Sequence, residues 1–301
     1  MKRIDRRRFI NQSAKGIAGA VVASGLSQLS FTMAGSAVID KVNLGETGLK
    51  VPRLALGTGS FGYRRTSHQK ELGFDSFMNL AKHAYDRGMR FFETADMYGT
   101  HEFVGKVLKE YNREDITVLS KVMVYDHQDW YKTEPFETSI DRFRKELGTD
   151  YIDVLLLHCM VNGEWTSEYK KYMDGFLEAK EKGIIKKIGV SCHNLDALKV
   201  ASTSPWVDVV QARINHDGSR MDGSPDEVMP VLETAKKNGK GVVGMKIFGC
   251  GRLVEEEQRE KSLNYVIKSG NVDCMTIGFE SIEQLDDAVD RIARIVAELN
   301  G

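Results

Sequence analysis

At 301 residues, 42% hydrophobic and 28% charged, the chain has the composition of an ordinary globular protein and is long enough for one large core. Its formal net charge of -1 excludes the basic footprint of a nucleic-acid binder, and no apolar run approaches the ~18–20 residues of a membrane span. The four cysteines, Cys159, Cys192, Cys250 and Cys274, form no C-x-x-C pair and read as small buried hydrophobes.

Residues 1–37 have the pattern of a targeting segment, with a basic start, a Gly/Ala/Ser-rich middle and small residues near Ala34 to Ala37. "DRRRFI" resembles the twin-arginine export signal, with Arg6 and Arg7 as the pair and Asp5 where Ser or Thr is usual. The expectation is a segment cleaved or left outside the fold. It implies transient contact with the twin-arginine export machinery and a periplasmic or otherwise exported protein. Without a working signal the chain would stay cytoplasmic.

Residues 38–301 read as one domain. "VIDKVNLGETGLKV" predicts a β-hairpin turning at Glu46, Thr47 and Gly48. Strands are then predicted at 53–57, 90–96, 116–122, 151–158, 185–192, 207–214, 241–247 and 272–278. They alternate with helix patterns such as Phe136, Ile140, Phe143 and Leu147. Glycine recurs between helix and strand, as in "DRGMRFF", "KELGTDYID" and "KKNGKGVVG", where a left-handed cap favours it. Eight strand–helix units with near-continuous apolar strands predict an α/β fold, a single (β/α)8 TIM barrel whose floor the hairpin closes.

In such barrels chemistry sits at the carboxyl ends of the strands. Those ends offer Thr58, then Glu93, Asp96 and Tyr98, then Lys121, His158, Ser191 with Cys192 and His193, Gln211 with Arg213, and Lys246. A lysine closing the apolar run "ITVLSK" must be paired or deprotonated, and Glu93 on the neighbouring strand is its natural partner. Tyr98 beside that lysine is expected to have a lowered pKa and to protonate a carbonyl oxygen, with a neutral His158 alongside. His158, Cys159, Cys192, His193 and Cys250 are residue types that suit zinc. Strand alternation argues that His158 and Cys159 face opposite ways, so no metal is expected.

"LGETGLKVPRLALGTGSFG", "FFETADMYG", "VLSKV", "ELGTDYIDVLLLHC", "KGIIKKIGVSCHN" and "VVQARIN" resemble, in order and spacing, the aldo-keto reductase family. The resemblance spans the chain after the export segment. It implies hydride transfer between a nicotinamide cofactor, NAD(P)(H), and a carbonyl or alcohol substrate. Tyr98 falls on the proton donor, with Lys121, His158 and Glu93 completing the catalytic set. Cofactor contacts fall on Gly57, Thr58, Ser191, Cys192, Gln211, Met245, Lys246, Gly278 and Gln284.

Several positions depart from the family pattern. Glu93 replaces an Asp and Cys192 an Asn, and Met245 takes the place of a stacking tyrosine. Gly278 and Gln284 stand where many members hold the NADP 2′-phosphate with two cations, and Glu280 lies nearby, which favours NAD(H). Three readings follow: a carbonyl reductase loaded with cofactor before export, a redox-neutral enzyme retaining NAD(H) on a sugar, or a catalytically silent binding barrel. Polar loops with Trp130 and Trp165 as wall candidates point to a small carbonyl or sugar-like substrate.

Overall fold

The computed structural model describes residues 37–127 and 130–301, so the export reading falls outside the described residues apart from Ala37. A hairpin comes first: β1 (Lys41–Asn43) and β2 (Lys50–Pro52) pair antiparallel with Val42 opposite Val51. At its turn, a Cβ on Gly45 would lie 2.4 Å from the Lys240 carbonyl carbon, so only glycine can press this closely on the chain.

Eight parallel strands close the barrel: β3 (Leu54–Gly57), β4 (Phe91–Glu93), β5 (Thr117–Met123), β6 (Ile152–Met160), β7 (Ile185–Cys192), β8 (Val209–Arg213), β9 (Gly241–Met245) and β10 (Cys274–Ile277). Each pairs with its neighbour in sequence, and β10 returns to pair with β3. Several strand boundaries shift by one to three residues from the sequence expectation, and two of the shifts bear on the site. The run predicted over 90–96 keeps only three strand residues, because Asp96–Tyr98 turn into a 3-10 helix. In contrast β6 continues to Met160 past a register shift between Leu157 and Met160.

Side chains alternate between two apolar layers, as a period of two requires. Ala55, Phe91, Leu119, Val154, Leu156, Val209, Val243 and Cys274 fill the barrel interior, together with Leu44 and Val51 of the hairpin. Leu44 is fully buried there, and so the hairpin closes the floor. Their strand neighbours, among them Leu56, Phe92, Val118, Leu155 and Val210, pack against the helices. Helix Phe136–Leu147 shows the pattern: Phe136, Ile140, Phe143 and Leu147 are buried, and Gly148 ends it in the left-handed conformation. Among the described residues no helix is long and apolar enough to cross a membrane.

Candidate active site

Moving two residues up each strand from the interior layer keeps the same facing. The step reaches Gly57, Glu93, Lys121, His158, Gln211, Met245 and Thr276, and Ser191 lies at the same end of β7. Every one of them is buried.

Lys121 is fully enclosed and forms an ion pair with Glu93. Its ammonium also donates to the Thr94 carbonyl at 3.1 Å and to the Tyr98 hydroxyl at 3.3 Å. Burial pulls the pKa of Lys121 down, opposed by the charge and hydrogen bond of Glu93. The extra methylene of Glu93 carries its carboxylate between strands. Gln211 Nε2 donates to Oε1 at 3.3 Å, and Thr276 Oγ1 donates to Oε2 at 3.4 Å. Gly57 leaves room for this, since a Cβ there would meet Thr276 Oγ1 at 2.8 Å. Thr276 was missed in the sequence reading, although counting two residues on from Cys274 finds it.

Tyr98 ends the short 3-10 helix after β4, and its ring lies edge-on to His158 at 5.7 Å between centroids. Burial, and then the charge of Glu93, push its phenol well above the ordinary value. This corrects the expectation of a lowered pKa: Glu93 cancels the ammonium that was to lower it, and desolvation favours the neutral phenol. His158 is pushed the other way, well below the ordinary imidazole value, first by burial and then by the charge of Lys121. At neutral pH the site therefore presents a protonated phenol beside an uncharged imidazole.

The helix carrying Tyr98 is fixed by Asp96. That carboxylate is fully enclosed and accepts from Arg142 at 2.8 and 3.0 Å, from the Tyr131 hydroxyl at 3.0 Å, and from Arg65. Burial alone would raise its pKa, but the hydrogen bond and charge of Arg142 outweigh it and hold the group below the usual range.

Other candidate residues are placed as follows. Thr58 spends its hydroxyl internally, donating to the Glu93 carbonyl at 3.0 Å and meeting Thr100 Oγ1 at 2.6 Å. Ser191 Oγ accepts from the Cys159 amide at 2.9 Å. Gln211 keeps its Oε1 buried and without a partner, as does His158 its Nδ1. Lys246 follows β9 at φ 60, a left-handed conformation that is strained for a residue with a side chain. Cys192 is one residue out of phase with the interior set and lies in the apolar layer between strands and helices, away from the facing its cofactor role required. Trp165 is fully buried in that same layer, with Nε1 donating to the Ala197 carbonyl, and forms no wall of the mouth.

Strand alternation fails at the end of β6. Cys159 sits at φ 63 in the irregular end of β6, and it packs, as Tyr98, Tyr125 and Trp130 do, against the cluster of Met97, Met123 and Tyr131. Its thiol meets His193 Nε2 at 3.5 Å. Cys159 and Cys250 are half-buried, unlike the enclosed Cys192 and Cys274.

At the positions expected to hold a 2′-phosphate, a Cβ on Gly278 would lie 2.2 Å from Ser60 Oγ and 2.8 Å from Gln69 Nε2. No longer side chain fits there without rearrangement. Gln284 Oε1 accepts from the Glu280 amide at 2.9 Å, and the Glu280 carboxylate meets His68 Nδ1 at 2.6 Å.

The family model described as Aldo/keto reductase family matches residues 53–299. Over 288 residues the chain is 23% identical to L-galactose dehydrogenase of Arabidopsis thaliana, covering 84% of this chain and 88% of that protein. Over 120 residues it is 36% identical to methylglyoxal reductase DkgA of Escherichia coli O157:H7, covering 38% of this chain and 41% of that protein. Aldo-keto reductase AKR11C1 from Bacillus halodurans, solved in its holo form, superposes with a TM-score of 0.67 at 21% identity, covering 87% of this chain and 96% of that one. An aldo/keto reductase from Klebsiella pneumoniae, solved with NADP and acetate, gives a TM-score of 0.62 at 16% identity over 87% and 95% of the two chains. The chain belongs to the aldo/keto reductase family, oxidoreductases that move hydride between a nicotinamide cofactor and a carbonyl or alcohol carbon.

Proposed function

We propose that this chain reduces the carbonyl of a small, hydroxylated or sugar-like substrate, with Tyr98 as proton donor and NAD(H) as cofactor. The observation that carries the reading is the buried set at one mouth: Lys121 paired with Glu93, the Tyr98 hydroxyl 3.3 Å from Lys121 Nζ, and an uncharged His158 beside it.

The residues present fit a nicotinamide. Gln211 offers a buried, unpartnered Oε1 suited to a carboxamide N–H, and Ser191 supplies a hydroxyl on the next strand. When bound, the nicotinamide supplies the hydride that adds to the carbonyl carbon. The chain does the rest. As negative charge grows on the substrate oxygen, Tyr98 releases its proton to it, and Lys121 stabilises the phenolate left behind. Glu93 keeps the lysine charged in an enclosed site. His158, uncharged, directs the substrate oxygen toward Tyr98 by hydrogen bonding.

The cofactor preference rests on Gly278, Gln284 and Glu280. A dianionic phosphate would find no cation at the first two and an acid at the third, whereas a ribose hydroxyl suits an acceptor. Tyr63 and Trp130 supply the apolar flank, with Trp130 Nε1 donating to the Tyr63 hydroxyl at 3.0 Å. A sugar dehydrogenase among the relatives points the same way.

Titration of the protein with NADH and NADPH by fluorescence quenching tests the cofactor reading. A Kd for NADH at least ~10-fold below that for NADPH is expected from one absent charge clamp. Equal or tighter NADPH binding would remove the argument from these three residues. NAD(H) released on denaturing a fresh preparation would favour the redox-neutral variant of the reaction, because retained cofactor must be restored within each cycle.

A further inference from the structure

The loop after β3 contains two glycines, Gly59 and Gly62, that the backbone does not require. Neither has a positive φ. Between them Phe61 does, at φ 54, and it is 50% exposed. A turn closed by the Gly62 amide on the Gly59 carbonyl at 3.0 Å thus has its glycines at the two ends and a bulky residue at the left-handed position. Backbone preference alone would arrange these residues the other way round.

The space around Tyr98 accounts for the order. A Cβ on Gly59 would lie 2.2 Å from Cε2, 2.3 Å from Cζ and 2.6 Å from Cδ2 of the Tyr98 ring. One on Gly62 would lie 2.3 Å from Cδ1 and 2.7 Å from Cε1. The two glycines therefore cover opposite edges of the same ring, while Lys121 Nζ sits 4.7 Å from its centroid and His158 stands edge-on.

The turn is also held from behind. The Ser60 amide donates to Gln69 Oε1 at 2.9 Å, and Gln69 Nε2 donates to Ser60 Oγ at 3.0 Å and to the Phe279 carbonyl at 3.2 Å. Gln69 is fully buried, and the His68 amide donates to the Ser60 carbonyl at 3.0 Å. Phe61 stacks on His68 at 4.8 Å. Fastened in this way, the turn cannot retreat from an added methyl group. The Tyr98 ring would have to move instead.

We propose that the Gly59–Gly62 turn is a positioning device for Tyr98, its two missing Cβ atoms fixing where the phenol hydroxyl stands between Lys121 and His158. The inference rests on Tyr98 being the proton donor. Gly59 bears on the hydroxyl end of the ring and Gly62 on the nearer edge, so Gly59 has the larger effect on chemistry.

The test uses Gly59→Ala and Gly62→Ala in the full chain, each also combined with Tyr98→Ala. Displacing the hydroxyl by about an ångström is expected to lower kcat by about 100-fold in Gly59→Ala, and by less in Gly62→Ala. Each glycine substitution is expected to lower the thermal midpoint when Tyr98 is present and to leave it unchanged when Tyr98→Ala has vacated the space. Equal losses of midpoint in both backgrounds, or full kcat in both folded single variants, would overturn the proposal. Should Gly59→Ala fail to fold, recovery of folding in the Gly59→Ala, Tyr98→Ala pair supports it and continued failure of that pair overturns it. If Tyr98→Phe keeps full turnover, the proton-donor reading fails, while the stability cycle still decides whether the turn holds the ring.

Discussion

Glu93 shows how one residue can depart from a family pattern and keep its task. Its longer side chain still pairs with Lys121, and it gains donors from Gln211 and Thr276 across the barrel. Neutralising it by Glu93→Gln leaves Lys121 enclosed without a counter-charge. Loss of one partner of a buried ion pair costs about 3–5 kcal/mol. An unfolding free energy lowered to that extent is expected in denaturant titration, with turnover falling by about 100-fold or more. Glu93→Asp should keep the charge, lose the Thr276 contact and stay within about 10-fold of the parent rate. A fully stable and active Glu93→Gln protein would contradict the role of Glu93 as the counter-charge the site requires. Glu93, Lys121 and His158 were legible in the sequence because each breaks a run that must be buried, which leaves few explanations for a polar group. The direction of the Tyr98 shift was not legible. It depends on how far Glu93 screens Lys121 and how dry the pocket is, and neither is written in residue spacing.

The barrel strands act as rulers. Interior side chains repeat every second residue, and the last interior position before the mouth falls on a buried candidate site residue in seven of the strands by that count: Gly57, Glu93, Lys121, His158, Gln211, Met245 and Thr276. The same rule places Cys192 on the helix side, where its small apolar thiol suits the packing. It breaks at Cys159, because a register shift and a left-handed residue return the chain to the mouth. Period and glycine punctuation made the eight strands readable, whereas a bulge leaves no mark on hydrophobic period. The floor is set by Leu44, which fills the interior from the hairpin turn. Leu44→Ala should destabilise the fold by about 2–5 kcal/mol while leaving kcat close to the parent value in the folded protein. A loss confined to activity, with stability unchanged, would contradict a purely structural floor.

At the scale of the whole molecule, the site, the hairpin floor and the helix layer all belong to the unit Ser36–Gly301. We propose that the preceding basic segment with Arg6 and Arg7 directs export of the folded, cofactor-loaded protein through the twin-arginine route. Replacing both arginines by lysine in the full chain should leave the protein in the cytoplasmic fraction, with turnover of the purified protein unchanged. Export that continues undiminished would count against that route. The aromatic flank and the Gly59–Gly62 turn both belong to loops at the carboxyl ends of strands, so the proposed substrate contacts and the proposed support of Tyr98 lie at the same face. Such a division, with stability below and chemistry above, is what a parallel barrel permits.

The central claim is that Tyr98 gives the proton when hydride reaches the carbonyl carbon. It is tested most directly by following NADH absorbance under single-turnover conditions, with methylglyoxal and an aldose as probes, for the parent protein and Tyr98→Phe. The account predicts that the phenylalanine variant binds NADH within a few-fold of the parent and turns over at least ~100-fold more slowly. Turnover at the parent rate with intact NADH binding would contradict it.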